Sequence, residues 1–373
     1  MGAMYENPPG LRTELCAGRF SELGIFAGGA ASSGLRSGCR LLYTQDLTMT
    51  APAPAAAAAL GDPCGLSVLI LNWNGCADLR RCLASLAAQS DRDFEAVVVD
   101  NGSTDDSCAM VRGEFPAVRL ILAGENLGFA AGCNRGLTEI ARPWVFTLNN
   151  DTCLDPQAIE ELRRAVRAGG PRLGMLQARI VFMDRPQLTN STGVLLQRGG
   201  KFIDRDFAAP LRTDDIPQEI FCVSAGAAVY RRAMLEAVRL PSGVFDSSFF
   251  MYYEDVDLGW RCRLAGWEAQ YVPAALVYHR FHGSESQQKR AFVATHCHAN
   301  KVRTLLKNAS LGYLGAALPQ LLATDILPLF RHQRWSALGL LQAAVRDGLR
   351  QRPLVQQLAQ QPRRTIEENW AVP

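Results

Sequence analysis

The chain has 373 residues, 48% hydrophobic and 20% charged, which is enough apolar material for one large globular domain or two smaller ones. Its 39 Lys and Arg against 36 Asp and Glu leave a formal net charge of +3, too balanced for nucleic acid to be the main partner. Eleven Cys scattered from Cys16 to Cys297 form no C-x-x-C pair, which argues against a disulfide framework or zinc site and for a reducing compartment.

Residues 1–64 carry Gly and Ser clusters such as AGGAASSGLRSG and the run TAPAPAAAAALGDP, with no sustained period of 2 or 3.6. They read as a disordered leader, or as a mis-assigned upstream stretch if the functional chain starts at Met49. Glu6, Glu14 and Glu22, with no sustained apolar run, argue against a secretory signal.

From Leu66 short apolar runs alternate with amphipathic segments. LSVLILNW, FEAVVVD, VRLILA and PWVFTLN predict strands. CADLRRCLASLAAQ, with Leu79, Cys82, Leu83 and Leu86 at helical spacing, predicts a helix, as do DDSCAMVRGEF and GFAAGCNRGLTEIA. This alternation implies an α/β fold with a mostly parallel sheet flanked by crossover helices. Ligands of such sheets sit at the carboxyl ends of the strands. Asn72, Asn74, Asp100, Asn101 and Asn149 to Asp151 all follow apolar strands, so they should gather on one edge.

PQAIEELRRAVRAG predicts another helix, followed by LGMLQARIVF, a Gly-punctuated region around STGVLLQRGGKF, and FCVSAGAAVYRRAMLEAV. Val256, Trp260 and Leu264 at i, i+4, i+8 predict a helix with one buried face. Glu254 and Asp255 fall in its first turn, where the helix end favours carboxylates. GWEAQYVP and ALVYH close a domain expected to span 65–285. The region 286–373 turns helical and more basic, through Lys289, Arg290, Lys301, Arg303, Lys307, Arg331, His332 and Arg334. It fits helices packed on the core equally with an interfacial helix on a membrane surface. Its apolar run LGAALPQLLATDILPLF, broken by Pro319, Asp325 and Pro328, is short for a spanning helix.

FMYYEDVDLGWR places three carboxylates in four positions among Phe250, Tyr252, Tyr253 and Trp260. Burying such a cluster is costly unless the acids are paired or functional. It stands last in the ordered set VVVDNGSTDDS, ENLGFAAGCNRG, LNNDT and FFMYYEDVDLGWRCRLAGW. On these four stretches the chain resembles inverting nucleotide-sugar glycosyltransferases of family 2 with a GT-A fold, in the rhamnosyltransferase-like branch. The resemblance covers residues 66–285 and extends toward the C-terminal helices. ENLGFAAG is not G-x-G-x-x-G, so the dinucleotide-oxidoreductase reading loses its fingerprint.

The resemblance implies transfer of a sugar, L-rhamnose foremost, from a dTDP or UDP donor to a growing cell-surface glycan or lipid-linked acceptor, at the cytoplasmic face of a membrane. It implies Mg²⁺ or Mn²⁺, which prefers one or two carboxylates with phosphate oxygens and water. The family's D-x-D reads Asn149-Asn150-Asp151, leaving Asp151 as the carboxylate ligand. His279 matches a family His able to ligate the metal, with His282 second. Asp100 would read the imide N–H of uracil or thymine and Asn72 would line the same pocket. Asn126, Gly128 and Asn134 would sit near the nucleotide or donor sugar. Asp255 matches the base that deprotonates the acceptor hydroxyl, Glu254 would orient it or the acceptor, and the aromatic rings would offer sugar faces a platform. Asp105 reads as a helix cap, Asp257 as a solvent-facing acid, and His296 and His298 as helix surface. The thinned metal motif also suits an inactive GT-A module that binds nucleotide sugar without transferring it.

Overall fold

The computed structural model describes residues 62–212, 214–281, 287–327 and 335–373. The expected leader, apart from its last residues, lies outside this set. So do His282, Arg331, His332 and Arg334, and the side chains of Lys289 and Arg290.

Strands β1 (Leu66–Asn72), β2 (Phe94–Asp100), β3 (Arg119–Leu122) and β4 (Trp144–Asn149) form as expected, joined by helices α1 (Cys76–Ala87), α2 (Ser107–Glu114) and α3 (Gly128–Leu137). All four are parallel, in the spatial order β3-β2-β1-β4. Both neighbours of β1 follow it in sequence, so the winding reverses there and leaves a crevice at its carboxyl end. Registers of Asn72 with Asp100 and of Leu71 with Asn149 bring the polar strand ends level.

Next come β5 (Thr152–Leu154), α4 (Ala158–Ala168), β6 (Leu173–Phe182) and β7 (Thr189–Ser191). A hairpin of β8 (Val194–Gln197) and β9 (Lys201–Asp204) follows, then β10 (Gln218–Glu219), β11 (Ala227–Arg231), α5 (Arg232–Ala237), α6 (Glu254–Leu264) and β12 (Glu268–His279). Strand β11 enters the sheet antiparallel between β4 and β6, while β12 runs parallel to β6. The two segments GWEAQYVP and ALVYH are one strand, interrupted where its register shifts between Val272 and Leu276.

Because β1 is buried on both sides, its alternating side chains feed two cores. Val68 and Ile70 pack with Leu79, Cys82, Leu83 and Leu86 of α1, whereas Leu69 packs with Cys133 and Leu137 of α3 and Leu258 and Cys262 of α6. Each such burial is worth about 1.5–3 kcal/mol. A third core joins Phe202, Val256, Trp260 and Leu264 to Leu305, Val355 and Ile366 of the C-terminal region.

That region comprises α7 (Gln287–Asn308), α8 (Leu311–Leu321) running into a π-helical turn (Leu322–Ile326), α9 (Trp335–Leu358), α10 (Arg363–Trp370) and β13 (Ala371–Val372). Strand β13 completes a small sheet with β8 and β9. No helix among the described residues is long and apolar enough to cross a membrane.

Lys301 of α7 pairs with Asp325, Arg303 with Asp347, and Lys307 with Asp246 and Asp257, all buried, so this stretch of α7 fits the alternative of helices packed on the core. One expectation needs correcting. Helix α6 is buried almost all round rather than on one face. It comes so close to Cys222 that a Cβ on Gly259 would stand 2.3 Å from the Cys222 Cβ.

Candidate active site

At the crevice the side chains of three strand ends interlock. Asn72 donates through Nδ2 to Asp100 Oδ1 at 3.4 Å and to Ser103 Oγ at 3.2 Å, and its Oδ1 accepts from Asn150 Nδ2 at 2.8 Å. Asp100 Oδ2 accepts from the Ser103 N–H at 3.0 Å. Asn72 is fully buried, so it lies beneath the pocket as a strut rather than lining it. The Asp100 carboxylate has four lone pairs and takes Asn72, the Ser103 N–H and the Cys108 thiol, so it retains acceptor capacity. Asp105 stands one residue before the N-cap of α2, Asp106, accepting from the Ser107 N–H and also from the Cys76 N–H.

Beside them, Asn101 donates to Asn126 Oδ1 at 3.0 Å and to the Gly128 carbonyl at 3.1 Å, and accepts from the Leu127 N–H. Asn126 Oδ1 also takes the Gly128 N–H at 2.9 Å. Gly128 has φ +74°, and a Cβ there would meet the Phe250 carbonyl oxygen at 2.5 Å. Only glycine fits this contact. Asn134 is not part of the crevice: its amide holds the 244–247 loop, donating to the Phe245 carbonyl and accepting from the Val244 and Phe245 N–H groups. The resemblance placed it near the nucleotide or donor sugar, and nothing in the sequence marks the loop it meets instead.

Asn149 donates its N–H to the Gly226 carbonyl at 2.9 Å, tying β4 to the segment beside Ala225. Asp151 follows the strand, and β12 returns alongside β5 with His279 opposite Thr152. His279 Nε2 thereby lies 3.3 Å from Asp151 Oδ1, an oxygen that is itself buried and lacks a hydrogen-bond partner among the described residues. On its other side His279 Nδ1 meets Asn190 Oδ1 at 2.8 Å.

Among the described residues no three His, Cys, Asp or Glu converge into a protein-only metal cage. Mg²⁺ and Mn²⁺ bound to a diphosphate need none. Two adjacent ligands of an octahedral ion at about 2.1 Å stand about 3 Å apart, close to the observed separation. The orphaned carboxylate oxygen and its facing imidazole therefore fit such an ion.

The loop from Ser247 to Tyr253 brings the acid pair to this place. Phe250, Tyr252 and Tyr253 all have positive φ, at 61°, 64° and 71°, a conformation that L-residues reach only under restraint. The Met251 N–H closes a tight turn on the Phe249 carbonyl at 2.7 Å. Asn300 of α7 supplies the restraint, its Nδ2 lying 2.8 to 3.0 Å from the carbonyls of Phe249, Met251 and Tyr252. The Phe250 carbonyl in turn receives the Phe129 N–H at 2.6 Å.

Helix α6 then opens with Glu254 and Asp255. Asp255 Oδ2 accepts from the Ala225 N–H at 3.0 Å, and Oδ1 from the Val256 N–H at 2.8 Å. Because Gly226 binds Asn149, one short segment links the acid to the end of β4 that precedes Asp151. Glu254 is buried and its Oε2 has no hydrogen-bond partner among the described residues. Burial, then the neighbouring Asp255 charge, raises its carboxyl well above the usual range. Burial also raises Asp255, but three backbone N–H groups oppose that. The backbone N–H groups on Asp255, which Glu254 Oε2 lacks, favour the charge on Asp255 over Glu254.

Asp257 is fully buried rather than solvent-facing, bound to Arg261, Lys307 and Asn308. Trp260 is likewise fully buried, so only Phe250, Tyr252 and Tyr253 remain as platform candidates. His298 is buried against Asp325, not on a helix surface. Asp204 on β9, which no sequence motif marks, is near enough to Asp255 and His279 for both to act on it. Crowding by protein pushes its carboxyl up to about 6, opposed by a Ser191 hydrogen bond and helped by Asp255; its solvent-open side tempers that push. Hairpin strands outside the four motifs carry no sequence signal for such a residue.

Comparison with known proteins agrees with this layout. Residues 67–239 match the family described as Glycosyl transferase family 2. An N-acetylglucosaminyl-diphospho-decaprenol L-rhamnosyltransferase of Mycobacterium tuberculosis (strain ATCC 25618 / H37Rv) is 30% identical over 253 residues, covering 62% of this chain and 81% of that protein. Among solved structures, GalNAc-T7 with UDP, GalNAc and Mn²⁺ superposes with TM-score 0.53 at 15% identity, over 67% of this chain and 48% of that one. S. aureus TarS gives TM-score 0.50 at 17% identity, over 82% and 53%. The chain spans about half the length of each of these two structures, and the likeness shows the GT-A architecture.

Proposed function

Since the chain belongs to glycosyl transferase family 2, we propose that it is a metal-dependent, inverting enzyme using a dTDP or UDP sugar, with dTDP-L-rhamnose the foremost donor. The observation that carries this reading is the buried, unpartnered Asp151 oxygen facing His279, linked through Asn149, Gly226 and Ala225 to Asp255. The rhamnose donor and a lipid-linked acceptor are supported by the name of the Mycobacterium relative. Contact with a membrane surface is supported by the exposed Leu311 and Leu318 of α8 and Leu322 and Leu327 at the turn that follows it.

In this reading the diphosphate lies over the ends of β1 and β4, with Asp100 accepting from the imide N–H of the base. Asp151 and His279 would hold Mg²⁺ or Mn²⁺, and the bound ion would supply positive charge to the departing diphosphate. Asp255 accepts the proton of the acceptor hydroxyl as that oxygen attacks the anomeric carbon from the opposite face, inverting it. Its charge is available because Glu254 keeps the shared proton. Asn126 and Gly128, with Asn149 and Asn150, shape the donor side.

The test is release of nucleoside diphosphate from a panel of donors with Mn²⁺ or Mg²⁺ and lipid-linked acceptor. Metal-dependent release from one donor, reduced at least 100-fold in Asp255→Asn, is expected, the size typical of losing a general base (about 10²–10⁴). Turnover near wild type in that variant would remove Asp255 from the role, and tight donor binding without any turnover would favour a binding module.

A further inference from the structure

Strand β7 contains an irregularity at one residue. It pairs antiparallel with β6, but Ile180 faces Ser191 while the next residue, Val181, faces Thr189. Asn190 is the extra residue of a bulge, the device by which strands redirect a side chain near a site. Although it is buried, its amide oxygen meets His279 Nδ1 at 2.8 Å.

This contact decides which ring nitrogen carries hydrogen. An amide oxygen only accepts, so Nδ1 is the donor, and in the neutral ring the free lone pair belongs to Nε2. Nε2 is the atom 3.3 Å from the buried Asp151 oxygen that has no donor. Two acceptors facing each other in a buried place repel, and a cation between them reverses the sign. The backbone holds the ring in place: the Met183 N–H binds the His279 carbonyl at 2.8 Å, and the Arg280 N–H binds the Asp151 carbonyl at 2.9 Å.

We infer that Asn190 is a positioning residue that fixes His279 in its Nδ1–H tautomer, so that Nε2 presents its lone pair to the divalent cation shared with Asp151. This rests on the metal site proposed above. Asn190 contributes an acceptor without adding charge, so it orients the ligand while leaving the site's net charge to Asp151 and the diphosphate.

The test measures Mn²⁺ affinity of the full chain by electron paramagnetic resonance of free Mn²⁺, with dTDP present, for wild type, Asn190→Leu, Asn190→Asp and His279→Ala. Loss of a partner behind a metal-binding His typically weakens the metal about 10–100-fold. Asn190→Leu, of similar shape but with no acceptor, is expected to weaken Mn²⁺ by that factor, and Asn190→Asp, which retains the acceptor, to hold it near wild type. His279→Ala should lose at least as much as Asn190→Leu. If Asn190→Leu binds Mn²⁺ like wild type while His279→Ala does not, the positioning role is wrong and the metal site stands. Equal weakening in the Leu and Asp variants assigns Asn190 to the shape of the bulge and likewise overturns the inference. Wild-type affinity in His279→Ala removes the metal ligand itself, and the inference with it.

Discussion

Lys307→Met is the most informative perturbation of the scaffold. Lys307 Nζ stands 2.7 Å from Asp246 Oδ2 and 2.8 Å from Asp257 Oδ2, with all three side chains fully buried. Arg261 Nε adds a second cation 3.0 Å from Asp257. Two cations thus balance two acids, one just before the catalytic loop and one just after it. The substitution keeps the volume but leaves two carboxylates with one cation, which costs about 3–5 kcal/mol. That is about two to three and a half decades in the folding equilibrium, against a total stability of about 5–15 kcal/mol.

Asp246 also sets the sign of the acid response. Burial pushes its carboxyl up, but Lys307 and Ser248 outweigh that and hold it well below the ordinary 3.8. Its contribution is therefore present above that value and fades as pH falls toward the lower folded one. Urea unfolding should show the full loss in Lys307→Met at neutral pH and a smaller difference from wild type in acid. Adding Asp246→Asn, which removes the uncompensated charge, should recover much of the loss. A neutral-pH loss under about 1 kcal/mol, within the range of exposed pairs, or no recovery in the double variant, would refute the reasoning.

Asn300→Ala frees three carbonyls of the strained loop and should cost about 1–3 kcal/mol. Because it acts on the presentation of Asp255, turnover should fall more than nucleotide affinity, and equal losses in both would count against the brace. The raised carboxyl of Glu254 works in the opposite sense to Asp246. The folded state keeps a proton that the unfolded chain releases above 4.5, so the contribution is full below that value and is lost as pH rises through the folded one. Glu254→Gln, neutral throughout, should flatten the decline of the melting temperature as pH rises above 4.5; an unchanged slope would place the proton elsewhere.

The parallel half of the fold was legible because its signals are local. Leu79, Cys82, Leu83 and Leu86 are the buried residues of α1, as their spacing required, and the polar residues ending β1, β2 and β4 do converge. What failed depended on contacts between segments far apart in the chain. Lys307 resembles any basic residue of an amphipathic helix until Asp246 and Asp257 are seen to converge on it. Trp260 is in a motif beside aromatic residues of the loop, yet its ring packs between Phe202 and Phe221. Asn190 lies in no motif at all, and its only mark is a one-residue register slip that a sequence cannot display. Asn134 was misplaced because an amide on a helix face is equally suited to a ligand or to a loop's backbone, and here the loop takes it.

The dependence of the catalytic loop on Asn300 and Lys307 has a temporal side. A ribosome delivers the polar ends of β1, β2 and β4 and the acid pair before it delivers Asn300 and Lys307 of α7. Until then the loop ahead of Glu254 lacks the Asn300 brace, and Asp246 and Asp257 lack their shared cation. Domains generally fold as they emerge, N-terminal portions first, so in the reading proposed above the crevice at the strand ends would form before the loop that presents Asp255 is braced, and a chain that stops short of α7 would lack that brace altogether.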